Sequence, residues 1–580
     1  MTRARPMVRS YFLARLLLSA LSLGSSHAEE YVLNPPSGSR GAVASEAIEC
    51  STIGRDLLAR GGNAVDALVG TVFCVGVVGS YHSGIGGGGF VLIRDKDGNY
   101  EAVDFREAAP AAAHEDMFKD EVLLSMVGGK AAGVPGEVRG LGYVHGKYGV
   151  LPWKDVMAGA IHVARNGFRV NADMERLMHD AMNAYNYNFL VTVPDWAEDY
   201  APNGTLVKQG DIMTRKRYAD TLEKIANEGP DSFYRGEIAE AIINVLNRAK
   251  GIMTLQDLAN YDIVSRNVTT TTYRNLTLHG IGSPAGGAVA FQLLKTMEQF
   301  PPETFSVNEP LADHRLVEAM RFAYGSRLQL GDPEFVENVQ QIEDDMLSEA
   351  RAKATWERIL DDRTQPIENY LPKKEFLKDS HGTSHIATAD DSGMATSLTT
   401  TINLLFGNLI VEPKTGIILN NEMNDFSIPG EPNEFGFPPS VANFIRPFKR
   451  PLSSCTPMIV TSNEDSNPPS FFATLGAGGG SRIISATAQV LWHVVDHQMT
   501  MSEAIAIPRL HDQLMPNVTT LEHAMRERGK GVVDGLAERG HDIVWVLPTK
   551  SAVQGILRRS DHLFEAAGEC RQMNSGGVVL

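Results

Sequence analysis

Cysteine is scarce in this chain, which has four among its 580 residues: Cys50, Cys74, Cys455 and Cys570. So few thiols exclude a scaffold built on disulfides. No cluster of cysteine and histidine has the spacing of metal ligands, so we expect neither a metal nor an organic cofactor. Cys50 and Cys74 lie in neighbouring helical patterns, and the sequence leaves open whether they form a bridge or remain two buried thiols.

Positive charge is also in short supply, because 53 lysines and arginines face 70 aspartates and glutamates, a net charge of -17. Phosphate binding requires clustered basic residues, so we expect no nucleic-acid partner. Hydrophobic residues at 43% and charged residues at 21% are typical of a globular protein. Small or zwitterionic ligands fit this charge balance better.

Long hydrophobic runs are missing as well. The apolar stretch at residues 16–23 is shorter than the roughly 20 residues of a membrane span. Four arginines precede it, and Ser26 and Ala28 offer the small residues of a cleavage site, so residues 1–28 predict a cleaved secretory signal, with an uncleaved anchor as the alternative. Four sequons add to the prediction of a glycosylated protein that is extracellular, at the cell surface or vacuolar: Asn203, Asn267, Asn275 and Asn517.

Hydrophobic periodicity divides the chain at a polar segment, residues 348–379, which we expect to be an exposed connector. Before it, the pattern predicts helices over 43–77, a strand pair at 90–94 and 100–105, and then a mostly helical region with candidates near 153–165, 216–228, 235–249, 287–299 and 311–326. After it, the pattern predicts strands at 385–389, 396–403, 407–411 and 416–419, and helices near 485–497 and 520–539.

Two motifs resemble known functional sites, but the sequence around each of them does not fit that site. The glycine run at 84–89 has dinucleotide-fingerprint spacing, but it precedes a strand and opens no helix, which phosphate binding requires. His381-Gly382-Thr383 is similar to a segment of subtilisin-like proteases, which need an aspartate before the histidine and a serine well after it. Here Asp391 follows the histidine and no later serine segment fits.

The Gly382-Thr383 junction instead has the chemistry of a self-cleaving bond. The Thr383 hydroxyl can attack the carbonyl of Gly382, where the missing side chain leaves that carbonyl unhindered, and water can open the resulting ester. The freed α-amine has a reference pKa of about 7.7 to 8.0, so it can act as the base for its own hydroxyl. Thr383 would then serve as both nucleophile and general base.

Five further segments, in this order, complete a resemblance that covers nearly the whole mature chain: residues 61–67, 83–88, 104–107, 419–427 and 449–454. With the Gly382-Thr383 junction, they make the chain similar to the γ-glutamyltransferases, or glutathione hydrolases, a family of N-terminal nucleophile hydrolases. The resemblance implies an α+β fold, a four-layer αββα sandwich. It also implies self-cleavage into a large subunit, 29–382, and a small subunit, 383–580, which stay together as a heterodimer.

Carried over residue by residue, the resemblance implies that Thr383 is the nucleophile and that Thr401 holds its amine and hydroxyl in line. The amides of Gly479 and Gly480 would form the oxyanion hole, a role that suits glycine because no side chain blocks the developing anion. Phe435, in the loop 428–446, resembles the aromatic residue of the family's lid, although the same loop composition also suits a static surface. Ser384, Met394 and Thr396 depart from the family pattern beside these strands.

A γ-glutamyl group carries an ammonium and a carboxylate on one carbon, so its pocket needs both acceptors and donors. Glu422, Asp425 and Asn403 can accept from the ammonium. Arg106 can bind the carboxylate through two N–H groups, with hydroxyl donors from Ser453 and Ser454. Each of these residues alone has an ordinary structural explanation, and only their joint pattern predicts a site.

The resemblance implies acyl transfer from glutathione and other γ-glutamyl compounds through Thr383 to water or to amino acid or dipeptide acceptors, with no cofactor. Two alternatives stay open. One is an amidase of other specificity, similar to cephalosporin acylases, which the joint presence of Arg106, Asp425, Ser453 and Ser454 disfavours. The other is a catalytically silent secreted binding protein, which an intact Thr383 disfavours.

Overall fold

A computed structural model of the chain describes residues 37–305, 310–377, 382–430, 432, 436–463, 469–528 and 530–580. The predicted signal at residues 1–28 lies outside these ranges, as do His381 and Phe435. Within the described ranges, no helix combines the length and apolar character needed to cross a membrane.

Helices dominate the chain before residue 357. They are α1 (Ile48–Ala59), α2 (Ala64–Val78), α3 (Glu137–Tyr148), α4 (Trp153–Asn166), α5 (Ala172–Ala184), α6 (Phe189–Thr192), α7 (Pro194–Tyr200), α8 (Lys216–Glu228), α9 (Asp231–Tyr234), α10 (Glu237–Arg248), α11 (Leu255–Asn260), α12 (Gly287–Glu298), α13 (Pro310–Arg327), α14 (Val339–Met346) and α15 (Glu349–Trp356). Later helices are α16 (Arg482–Asp496), α17 (Met501–Ala506) and α18 (Lys530–Glu538).

Strands come from both halves of the chain. They are β1 (Ser37–Gly38), β2 (Gly41–Ser45), β3 (Gly88–Arg94), β4 (Tyr100–Asp104), β5 (Phe168–Arg169), β6 (Ile212–Met213), β7 (Val264–Arg266), β8 (Val268–Tyr273), β9 (Leu276–Ile281), β10 (Ser384–Asp390), β11 (Ala395–Thr401), β12 (Met458–Ser462), β13 (Ser470–Gly478), β14 (Leu510–His511), β15 (Thr519–Glu522), β16 (Ile543–Val546), β17 (Ala552–Arg558), β18 (Phe564–Ala567) and β19 (Gly576–Val579).

Two seven-stranded antiparallel sheets form the centre of the molecule. The first has the order β1-β18-β17-β13-β12-β9-β8, and the second has the order β19-β2-β10-β11-β3-β4-β7. Each sheet therefore mixes strands from before and after residue 382. Neither half of the chain contains all the strands of either seven-stranded sheet.

The two sheets pack against each other, and helices cover their outer faces. Ala387 of the second sheet lies in a buried cluster with Ile459 and Ile556 of the first. Because side chains alternate along a strand, the neighbouring Ile386 instead packs into an outer cluster with Val72 of α2. The outer face of the first sheet packs in the same way on α12, α13 and α16. The result is four layers, helix on sheet on sheet on helix.

Several local predictions are wrong, and long-range pairing explains most of them. The predicted helical segment 43–77 begins inside β2 (Gly41–Ser45), which pairs with β10. The region read as mostly helical contains β7, β8 and β9. The segments 407–411 and 416–419 share one isolated bridge and form no strand. The predicted helix 520–539 is β15, a 3₁₀ turn and α18, and the predicted connector contains α15.

The open question about cysteine is resolved in favour of a bridge. Cys50 of α1 and Cys74 of α2, which are 24 residues apart in the sequence, form a disulfide. Cys455 is a buried free thiol and Cys570 an exposed one. All four sequon asparagines are exposed.

Candidate active site

The β10-β11 hairpin places Thr383 beside Thr401, because Ser384 pairs with Thr400. Both threonines are buried, and both hydroxyls donate to one acceptor, the carbonyl oxygen of Gly382. Thr383 Oγ1 lies 2.6 Å and Thr401 Oγ1 2.5 Å from that oxygen. The Thr401 hydroxyl in turn accepts from the amide of Asn403 at 2.7 Å. Two hydroxyls thus polarise the carbonyl that precedes Thr383.

Gly382 occupies a position that other residues would strain. Its φ is +119°, and a Cβ there would lie 2.2 Å from the carbonyl oxygen of Asn403. The left-handed conformation and the close backbone together exclude a side chain. The bond that Thr383 is predicted to cut is therefore held in a geometry that only glycine adopts without cost.

The turn between β13 and α16 supplies backbone donors next to Thr383. A Cβ on Gly478 would lie 2.1 Å from the Thr383 carbonyl oxygen, so the two backbones are in direct contact. The amide N–H groups of Gly479 and Gly480 donate to no acceptor among the described residues. They lie just before the N-terminus of a 15-residue helix, whose dipole favours negative charge. Gly480 lines the cleft beside Thr383, whereas Gly479 is not among the lining residues.

Charged groups form the other end of the same cleft. Arg106 Nη1 lies 2.5 Å from Glu422 Oε1, and Arg106 Nη2 lies 2.5 Å from Asp425 Oδ2. The predicted carboxylate binder and ammonium binders are therefore in contact with each other. Arg106 Nε and Asp425 Oδ1 are buried and have no hydrogen-bond partner among the described residues. A donor on Arg106 and an acceptor on Asp425 therefore remain available to a bound molecule.

Burial controls the ionisation of this charged end. It tends to lower the pKa of Arg106, but Glu422 and Asp425 hold that pKa above its ordinary value. Burial raises the pKa of Glu422, and it raises that of the neighbouring Glu107 to about 7, despite the nearby guanidinium. More carboxyl groups than cations are buried here, so protons compensate part of the charge.

A buried aspartate connects the Arg106 backbone to two other arginines. Asp104, at the end of β4, accepts from the Arg106 amide at 2.9 Å and from Arg450 Nη1 at 2.6 Å. Arg266 adds an ion pair to Asp104 at 2.8 Å. These contacts join two segments that the resemblance identified separately, 104–107 and 449–454.

The remaining predicted residues lie in the same cleft with structural partners. Ser454 Oγ accepts from Arg327 at 3.0 Å, and Ser453 Oγ accepts from the Cys455 amide at 3.1 Å. Asn403 Nδ2 donates to the carbonyl of Asn421 at 3.0 Å, so its Oδ1 is the side-chain atom that could accept from an ammonium. The two serine hydroxyls keep a hydrogen to donate.

Both ends of the site line a single cleft. It brings together every predicted site residue except Gly479: Arg106, Thr383, Thr401, Asn403, Glu422, Asp425, Ser453, Ser454 and Gly480. Sequence reasoning missed Cys455 and Ile483, which also line it. Cys455 directly follows the serine pair, and Ile483 lies in the first turn of α16, so proximity to predicted residues was the available signal. Burial raises the pKa of Cys455 to about 11, so the thiol is neutral.

Other motifs have structural roles. His385 lies between the sheets, 2.9 Å from Thr399 Oγ1, and burial lowers its pKa to about 3, so it stays neutral. The glycine run at 84–89 leads into β3, and Gly87 packs directly on the backbone of Thr401. Neither motif forms a separate site.

Known proteins match the chain over nearly its whole length. A family profile described as Gamma-glutamyltranspeptidase matches residues 50–579. The protein named Glutathione hydrolase proenzyme from Arthroderma benhamiae is 48% identical over 557 residues, covering 94% of this chain and 93% of that protein. The Glutathione hydrolase of Aspergillus flavus is 45% identical over 544 residues, covering 93% and 89%.

A solved structure extends the comparison to the fold. Cephalosporin acylase from Bacillus halodurans superposes with a TM-score of 0.80 at 24% identity, covering 94% of this chain and 97% of that one. That likeness concerns architecture alone. It confirms the predicted N-terminal nucleophile hydrolase fold, and the sequence matches show that the chain belongs to the gamma-glutamyltranspeptidase family.

Proposed function

We propose that this protein is a γ-glutamyltransferase and glutathione hydrolase whose nucleophile is Thr383. The observation that carries the proposal is the joining of two features in one cleft. A hydroxyl lies on the carbonyl of Gly382, and a buried donor and acceptor, Arg106 Nε and Asp425 Oδ1, remain available a short distance away. These match an acyl transfer to Thr383 from a substrate that carries a carboxylate and an ammonium.

Self-cleavage comes first. Thr383 Oγ1 attacks the Gly382 carbonyl carbon and the peptide C–N bond breaks. The nitrogen takes up the proton that the hydroxyl loses. The Thr401 hydroxyl stabilises the oxyanion, since it already donates to that oxygen. Water then opens the ester, leaving Gly382 with a carboxylate and Thr383 with a free α-amine. The products are the fragments 29–382 and 383–580, which stay associated because both sheets need both fragments.

Turnover repeats the same chemistry on a substrate. The α-amine of Thr383 takes the hydroxyl proton, Oγ1 attacks the γ-carbonyl, and the amides of Gly479 and Gly480 receive the oxyanion. The γ-amide C–N bond breaks and the leaving amine takes the proton. Water or an acceptor amine then attacks the ester, and Oγ1 regains its proton. Arg106, Ser453 and Ser454 hold the substrate carboxylate, and Asp425 with Glu422 holds its ammonium.

A location in the secretory pathway, outside the cell or in the vacuole, fits this proposal. The bridge between Cys50 and Cys74 suits an oxidising compartment. The four exposed sequons are accessible to glycosylation.

The decisive experiment compares wild type with Thr383→Ala and Thr383→Ser on a denaturing gel, with N-terminal sequencing of each band. We expect wild type to give two fragments, the smaller one beginning at Thr383, and to hydrolyse γ-glutamyl anilide. Thr383→Ala should stay whole and inactive, because it has no nucleophile, whereas Thr383→Ser should still cut. An uncut wild-type chain that hydrolyses the anilide would contradict the mechanism.

A further inference from the structure

Three buried side chains that carry metal-binding atoms meet on the outer side of the first sheet. They are His314 and Glu318, one turn apart on α13, and His541, which follows α18. One nitrogen or oxygen atom from each lies within 4.8 Å of those from the other two. None of the three lines the candidate active site. His541 is 227 residues from His314, so residue spacing in the sequence did not reveal this group.

Hydrogen bonds on the far side of each imidazole indicate which ring nitrogen carries the hydrogen. His314 Nε2 lies 2.8 Å from the carbonyl oxygen of Leu360, which can only accept, so Nε2 is the donor. His541 Nδ1 lies 3.4 Å from Thr519 Oγ1, and that hydroxyl already donates to Asp512 at 2.8 Å. His541 Nδ1 is therefore also the donor. In each neutral ring, the lone pair then lies on the other nitrogen.

The two nitrogens that carry lone pairs face each other. His314 Nδ1 and His541 Nε2 are 2.7 Å apart, and two lone pairs at that distance repel each other unless a proton or a metal ion lies between them. Burial lowers the pKa of His314, and it lowers the pKa of His541 to about 3, so neither ring readily takes up that proton. A carbonyl or hydroxyl behind the ring is also what orients histidines that bind metals.

Glu318 adds a carboxyl group that has no cationic partner of its own. Its two oxygens accept from Thr364 Oγ1 and Tyr370 Oη, each at 2.7 Å. Among the residues that the structure describes, Glu318 forms no ion pair, because the neighbouring Arg321 pairs with Asp512 at 3.0 Å. Buried carboxylates are ordinarily paired with a cation or bound to a metal ion. A metal ion between Glu318 and the two histidines would supply the missing positive charge.

We propose that this group is a zinc site, whose ligands are His314 Nδ1, His541 Nε2 and one oxygen of Glu318. Two imidazoles and a carboxylate suit Zn²⁺, and a water completes the tetrahedron. Atoms bound at about 2.0–2.1 Å to one tetrahedral zinc lie roughly 3.3 Å apart, so the two nitrogens separate slightly and the carboxylate approaches them. His541 belongs to the proposed fragment 383–580 and the other ligands to 29–382, so the metal ties the two fragments together.

Zinc titration of the untagged full chain, after dialysis against a chelator, tests this assignment. Calorimetry should show that wild type binds one zinc ion per chain. Glu318→Gln keeps the size of the side chain but loses its charge, and His541→Gln loses a nitrogen ligand. Each should weaken zinc binding at least roughly tenfold, since even the groups behind metal ligands change affinity by about 10- to 100-fold. Circular dichroism would check that each variant is folded.

His493→Gln is the matched control, because His493 is also buried and its Nδ1 lies 3.1 Å from another histidine, His497, outside the proposed site. This variant should bind zinc as wild type does. Zinc should also raise the melting temperature of wild type and His493→Gln, but not that of Glu318→Gln or His541→Gln.

Cobalt provides a measurement that depends on no variant. Co²⁺ added to the chelator-treated wild type should give the visible absorption of a tetrahedral site, and zinc should displace it. A wild type that takes up neither ion, as expected if the two histidines share a proton, would overturn the site. Wild-type zinc affinity in both ligand variants would do the same. Because no step requires a substrate, an inactive chain that binds one zinc ion would support the site and contradict the proposed function.

Discussion

The two ends of the candidate cleft are built from different materials. The nucleophile end, which comprises Gly382, Thr383, Thr401 and Asn403, consists of hydroxyls and backbone groups on one hairpin and the loop that follows it. The charged end, which comprises Arg106, Glu422 and Asp425, consists of buried ions. Those ions come from distant parts of the sequence, and Asp104, itself held by Arg450, accepts from the Arg106 amide.

This difference separates making the bond from choosing the substrate. Self-cleavage involves the chain's own Gly382 carbonyl, which carries no amino-acid head, so the nucleophile end suffices for it. Turnover of a γ-glutamyl compound needs both ends. Substitutions at the nucleophile end should therefore abolish maturation and activity together, whereas those at the charged end should affect substrate binding alone.

The largest effect should come from Gly382→Ala. The added Cβ would meet the Asn403 carbonyl oxygen at 2.2 Å and the φ of +119° disfavours any side chain, so the scissile carbonyl must move away from both threonine hydroxyls. We expect an uncut chain with γ-glutamyl hydrolysis reduced at least about a thousandfold, the scale of losing a nucleophile. Gly61→Ala is the matched control, because Gly61 also has a positive φ of +91° but nothing within 4 Å of a Cβ. Normal processing of Gly382→Ala would remove the geometric argument for this glycine.

A smaller effect is expected from Arg106→Lys, which keeps the charge but loses the fork that contacts two carboxylates. The KM for γ-glutamyl donors should rise roughly ten- to a hundredfold, as for loss of one or two charge-assisted hydrogen bonds, while the gel still shows two fragments. Arg571→Lys is the control, since Arg571 also contacts two buried carboxylates, on Glu522 and Glu569, but outside the cleft. If Arg106→Lys blocks cleavage as strongly as donor binding, the two ends are not separable.

The smallest effect concerns Glu137, which links the ends: its carboxylate accepts from Thr400, beside Thr401, and senses the charge of Glu107. Burial raises its pKa from 4.5 to about 8. The native state therefore holds a proton that the unfolded chain has lost between these values, so the free energy of unfolding falls as pH rises through that window. Glu137→Gln should remove this slope. The melting temperature of the variant minus that of wild type should therefore be several degrees more positive at pH 9 than at pH 5.

Differential scanning calorimetry across this pH range measures the slope for wild type and Glu137→Gln. Glu240→Gln, an exposed change on α10, should leave it as in wild type. If the melting temperatures of wild type and Glu137→Gln change with pH in parallel, the ionisation of Glu137 does not contribute to the pH dependence of stability.

The nucleophile end was the more predictable of the two, because its residues lie close together in the sequence. The Gly-Thr junction and alternation over 385–389 and 396–403 placed β10 and β11 within about two residues of their bounds. Helices such as α8 and α13 were equally clear, since their apolar periodicity lies within one element. Sequence could name Arg106, Glu422 and Asp425 only through the resemblance, and it could not show that they contact each other.

What sequence reasoning missed depends on pairing over long distances. Residues 43–45 lead into an apolar pattern with helical spacing, but the strand to which they belong pairs with β10, more than three hundred residues away. The threonines of β8 are half exposed and polar, so the strand has little hydrophobic alternation, and its place in the sheet depends on β9. Arg327 had no sequence signal, because it reaches Ser454 from the end of a helix that is distant in the chain.

The mixing of strands from both halves has a consequence for the lifetime of the protein. Before the proposed cut, the chain refolds as a single molecule and its recovery is independent of concentration. Afterwards, two chains must meet before either sheet can form, so recovery from heat or denaturant becomes a second-order reaction that dilution slows. The peptide bond is not remade after the cut. A matured molecule that unfolds therefore cannot refold as a single chain, as its uncut precursor could.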